Sequence, residues 1–156
     1  MKTLVVYYSR HGHAKKISEK IAKIFKADIE EIVDIKNRDH IISWSKSAFD
    51  EELRTPTKIK KIKHDPKDYD LVIIGTPIWD GISPPVWAYL ALNKGKFKKV
   101  AFFATFNAAA ENACYNMENL SGKKPIATLE LQDRQVNLGE HVKKIEDFCK
   151  AIKKKI

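Results

Sequence analysis

Leu71-Val72-Ile73-Ile74-Gly75-Thr76-Pro77-Ile78-Trp79-Asp80-Gly81 holds the pattern that decides the fold. Its first four residues are continuously apolar, with no polar alternation, as a strand covered on both faces requires. Gly75-Thr76-Pro77 ends the run and opens a turn-rich loop. Pro84 and Pro85 then sit where a helix can start, ahead of the apolar stretch from Val86 to Leu92. Strand, loop and helix make half of a parallel βαβ unit.

The same unit recurs on either side. Leu4-Val5-Val6-Tyr7-Tyr8 is a β-rich run stopped by Ser9-Arg10-His11-Gly12, and Ala14, Ile17, Ile21, Ile24 and Phe25 follow at helical spacing. Ile29 to Ile35 is a second run, interrupted by Glu30, Glu31 and Asp34. Val100 to Phe106 is dense and apolar, and a helix is expected from about Glu111 to Leu120. Ile126 to Leu131 alternates apolar and polar residues, and Val142, Ile145, Cys149, Ile152 and Ile156 mark an amphipathic last helix. Strand and helix in repetition predict an α/β three-layer sandwich, a five-stranded parallel sheet with helices on both faces. The charged second and fifth strands belong at the edges, which gives the order 2-1-3-4-5.

Lys36 to Tyr69 is longer than a simple crossover needs. Trp44, Ala48 and Phe49 suggest a short helix inside it, and Lys58, Lys60, Lys61, Lys63 and Lys67 make its tail basic. Without a linker or an internal repeat, residues 1–156 read as a single domain.

Composition narrows the function. Of 156 residues, 44% are hydrophobic and 31% charged, which excludes wholesale disorder. No apolar run reaches the length of a membrane span and no signal-peptide pattern is seen, so a cytoplasmic protein with no membrane partner is expected. Cys114 and Cys149 are too few for a disulfide framework and match no zinc spacing. A net charge of +9 points to an anionic partner, yet no nucleic-acid recognition motif accompanies the lysines.

In an open α/β sheet a ligand binds outside the carboxyl ends of the strands, where the strand order reverses. That crevice would be walled by Ser9 to Ala14, Thr76 to Ser83 and Thr105 to Ala109. Ser9-Arg10-His11-Gly12-His13-Ala14 joins a strand to a helix N-terminus, whose N–H groups and dipole suit a phosphate, although an ordinary βα turn reads the same way. No phosphate-loop lysine motif and no G-x-G-x-x-G is present. Trp79 is placed to stack on a flat ligand or to pack as a lid without one. His11 and His13 lack the cysteine or carboxylate partners of a metal site, and no residue stands out as a catalytic acid or base.

Together these residues resemble the flavodoxin family, in particular its branch with a Pro-Ile-Trp segment after the third strand. The resemblance rests on Val6-Tyr7-Tyr8-Ser9-Arg10, the Gly12 turn and Tyr69 to Trp79, and it spans nearly the whole chain. It implies FMN as cofactor, with Ser9, Arg10, His11, Gly12, His13 and Ala14 at the phosphate. Thr76, Pro77, Ile78, Trp79, Asp80 and Gly81 on one side, and Thr105, Phe106 and Asn107 on the other, would flank the ring. His11, His13 and Ala14 stand where the family usually carries hydroxyl or amide residues, so protonated histidines would replace a lost hydroxyl. The implied function is electron transfer with redox partner proteins. The alternatives are an FMN-dependent NAD(P)H or quinone oxidoreductase, and an interaction protein that has lost its flavin. Lysines surrounding the flavin edge would steer an acidic partner toward it.

Overall fold

β1 (Thr3–Tyr7), β2 (Asp28–Glu31), β3 (Leu71–Pro77), β4 (Val100–Phe106) and β5 (Pro125–Gln132) pair in parallel in the order β2-β1-β3-β4-β5, the order the sequence predicts. The computed structural model describes residues 1–35, 57–78 and 81–156. The short helix expected around Trp44, Ala48 and Phe49 lies outside the described residues.

Period-two alternation divides each buried strand between two cores. Val5, Ile73, Phe103 and Leu131 face α1 (His13–Phe25) and α5 (His141–Lys153), packing with Ile17, Ile21, Ile145 and Phe148. Val6, Val72, Ile74 and Phe102 face the other way, toward Val86, Tyr89 and Leu90 of α2 (Pro84–Leu92) and Met117 of α3 (Ala113–Ser121). A fifth helix, α4 (Asp133–Asn137), sits between β5 and α5.

Three boundaries depart from the sequence reading. β3 does not stop at Gly75 but runs through it to Pro77. Gly75 pairs with Phe103 across the sheet, and a Cβ there would overlap the Phe103 ring. The glycine is therefore a seat for an aromatic ring, not a strand terminator. The run from Ile29 to Ile35 is divided: β2 ends at Glu31, and Asp34 forms an antiparallel bridge with Ile59. Glu30, read as an edge charge, is buried, and its carboxylate accepts bonds from the backbone N–H of Lys63 and His64 and contacts His64 Nδ1 at 3.0 Å. The basic segment is thereby clamped to the sheet edge. The short α4 was not anticipated; Gln132 N–H donates to Gln135 Oε1 at 3.1 Å, fastening its first turn.

Two consequences are measurable. Gly75→Ala should lower stability by about 1–3 kcal/mol in urea unfolding, because the Phe103 ring must leave its seat. The second concerns His141, buried where α5 meets α1. Burial first, then the charges of Lys16 and Lys20, hold its pKa below the ordinary 6.5, and a backbone contact with Gln135 offsets only part of this. A depressed histidine pKa means the unfolded chain takes up the proton more readily. Stability should therefore fall as pH drops through 6.5, and His141→Gln should flatten that acid-side slope in unfolding series between neutral and mildly acid pH.

Candidate functional site

The carboxyl ends of β1, β3 and β4 open into a cleft of about 200 Å³, where the strand order reverses. Ser9, Arg10, His11, His13 and Ala14 form one wall, Pro77 and Ile78 a second, and Thr105 and Asn107 a third. Three loops far apart in sequence thus meet at one place, as expected.

The first wall is built around a helix start without a side-chain cap. Gly12 is the residue before α1, at φ +89°, a left-handed value that favours glycine. Its N–H donates to Ser9 Oγ at 3.1 Å, leaving that hydroxyl able to donate outward. The first helical bond runs from Lys16 N–H to Gly12 O at 3.0 Å, so the N–H groups of His13, Ala14 and Lys15 precede the helical ladder. With Arg10 and His11 beside them, these donors make an anion site. Ala14 offers only its backbone, because its methyl group is buried in the core under α1.

The second wall is held by its ends. Thr76 is buried and does not line the cleft. Its hydroxyl donates to Pro77 O at 2.9 Å, lies 3.0 Å from Ser83 Oγ and accepts from Ser83 N–H at 3.3 Å. Ile78 and Ile82 close the loop with an antiparallel bridge, and Gly81 turns it at φ +102°. Trp79 and Asp80 lie outside the described residues. On the third wall, Thr105 O accepts from Ile78 N–H at 2.8 Å, and Phe106 turns away to pack with Ile78, Ala104 and Ala113.

Two polar residues of this region escaped the sequence reading. Asp133 lines the cleft, and its carboxylate lies 3.3 Å from His13 Nδ1. Asn137 Oδ1 lies 2.9 Å from His13 Nε2. His13 is thus bracketed by oxygen atoms from α4, and both ring nitrogens donate together only in the protonated ring. The available signal was the polar run Gln132-Asp133-Arg134-Gln135 following a strand, which has the form of a helix start. Cys114 is no reactive thiol: burial pushes it up to about 12.

A family model described as flavodoxin matches residues 2–144. The chain belongs to the flavodoxin family. Solved structures agree on the fold. A flavoprotein from Lactobacillus acidophilus in complex with FMN superimposes with a TM-score of 0.65 at 24% identity, over 88% of this chain and 97% of that one. A flavoprotein from Bacteroides eggerthii gives 0.70 at 22% identity, over 90% and 96% of the two chains. The two-electron reduced flavodoxin of Megasphaera elsdenii gives 0.54 at 16% identity, over 96% of each. The chain matches none of the curated proteins it was compared with.

The bracket around His13 has a measurable strength. A double-mutant cycle on His13→Ala and Asp133→Ala in urea unfolding should show a coupling of about 0.2–1 kcal/mol, the range for a partly exposed polar contact. Strict additivity would mean that the two groups do not work together.

Proposed function

We propose that the cleft binds FMN and that the protein transfers electrons between redox partner proteins. The observation that carries this reading is the uncapped start of α1, with Arg10, His11 and His13 around it, at the point where the strand order reverses. That donor set fits a phosphate monoester: backbone N–H groups of an uncapped helix start, the Ser9 hydroxyl and the Arg10 side chain line one cleft. Membership of the flavodoxin family supports FMN as the molecule carrying that phosphate.

Ser9, Arg10, Gly12 and the N–H groups of His13 and Ala14 would hold the phosphate. Pro77, Ile78 and Thr105 would border the ring, together with Trp79 and Asp80 as the family resemblance implies, and Asn107 would close the rim. When bound, FMN supplies a ring that takes up and releases one or two electrons. The protein's own part is to fix that ring and limit water on its faces. A ring edge at the cleft mouth would suit exchange with a protein partner. An acidic partner would meet Arg10 and His11 at the rim.

The reading is tested by titrating the apoprotein with FMN and following flavin fluorescence, where saturable quenching is expected. Gly12→Val should keep the fold and weaken FMN at least several-fold, because valine at φ +89° costs about 1–2 kcal/mol in the phosphate turn. Unchanged affinity would show that the ligand sits elsewhere. Steady turnover of NAD(P)H with a quinone by the loaded protein would favour the reductase alternative; its absence, with fast exchange to a redox protein, favours the carrier.

A further inference from the structure

The charge of this chain is sorted by the parallel sheet. Every strand begins at the end opposite the cleft, and many of the described lysines gather there. Lys2 precedes β1, Lys26 precedes β2, Lys98 and Lys99 precede β4, and Lys123 and Lys124 precede β5. The exits of α2 and α5 add Lys94, Lys96, Lys150 and Lys153. Contacts confirm that these loops share one face. Lys94 lies against Gly122, Lys153 Nζ sits 5.4 Å from the Phe25 ring centroid, and Lys155 Nζ donates to Ile126 O at 2.7 Å. Acids are fewer at this end: Asp70 lies 3.6 Å from Lys98 Nζ, Asp65 lies near both Lys67 and Lys96, Asp28 accepts from Tyr69 OH, and Asp68 precedes β3.

Exposed apolar side chains lie at the same end. Leu92, at the end of α2, is 67% exposed; Met1 and Ile156 flank the face and are also exposed. Solvated lysines alone would need no explanation, but lysines around protruding apolar tips suit a surface that is anionic above and apolar beneath. We propose that this base docks on an anionic lipid surface.

Nucleic acid fits less well. Among the described residues the face is the blunt end of a sandwich, spread across the strand starts, with no element projecting to enter a groove. The described arginines, Arg10 and Arg134, both lie at the cleft end, so the described part of the base carries ammonium groups and not the planar forks that read bases. Leu92 would gain nothing against a phosphate backbone. The sequence, which has no spanning segment, suggests no membrane partner; this proposal departs from that expectation.

The test is co-sedimentation of the full chain with phosphatidylcholine vesicles, with and without phosphatidylglycerol, at low and physiological salt. Binding is expected only with phosphatidylglycerol. Lys123→Glu with Lys124→Glu should weaken it at least about tenfold, while Lys143→Glu with Lys144→Glu, an equal charge change on the flank of α5, should weaken it far less. Leu92→Ser should lower affinity a few-fold without changing the salt dependence. Circular dichroism confirms folding of each variant. Equal binding to neutral vesicles, equal loss from the two lysine pairs, or tighter binding to duplex nucleic acid of matched phosphate content would overturn the proposal. None of these outcomes depends on FMN.

Discussion

Parallel pairing of β1 with β3 is the constraint on which the rest of the molecule depends. It aligns Tyr7 with Gly75 and sends both chains out of the sheet at the same end. Because β2 leaves β1 on the opposite side from β3, the loops after β1 and β3 diverge, and a crevice opens between them. With β4 and β5 also parallel, every strand-to-helix loop reaches the cleft end and every helix-to-strand loop reaches the base. Chemistry and charge are separated by topology before any single contact is considered.

Each loop at the cleft is then fixed by one or two modest polar contacts. Thr76 and Ser83 tie the ends of one loop, Ser9 and Gly12 tighten another, and His13 joins the first loop to α4. Individually such bonds contribute on the order of 1 kcal/mol. Their collective effect is geometric: the N–H groups at the start of α1 face the cleft with no protein side chain capping them. A helix start left this way is costly in dry surroundings and useful where an anion arrives.

The fold was legible because buried parallel strands leave continuous apolar runs, and β1, β3 and β4 have them. Two kinds of detail were hidden. Gly75 read as a terminator, since nothing near it in sequence announces the Phe103 ring that occupies its missing side chain. Asp133 and Asn137 belong to a five-residue helix too short to show periodicity, and their relevance comes from His13, more than a hundred residues away. Glu30 shows the same limit: a charge in an edge strand suggests exposure, whereas its true partners are backbone N–H groups of a distant loop. Contacts between residues remote in sequence are not written in local pattern.

Charge is the clearest case of what a linear count omits. A net +9 suggests steering toward the cofactor only if the lysines surround it. Many lie instead at the other end of the seven-residue strands β3 and β4, roughly 23 Å away at about 3.3 Å per residue, while Lys15, Lys16, Lys143 and Lys144 stand at helix starts nearer the cleft. Screening acts over about 10 Å at 0.1 M salt, so the lysines of the base add little at the cleft mouth. The same separation has a positive consequence. A molecule held by its base on an anionic surface keeps the cleft pointed into solution, so a redox partner and the surface do not compete for one face. On the two proposed readings, docking and electron exchange would fall at opposite ends, set by the direction of the strands, and would not exclude one another.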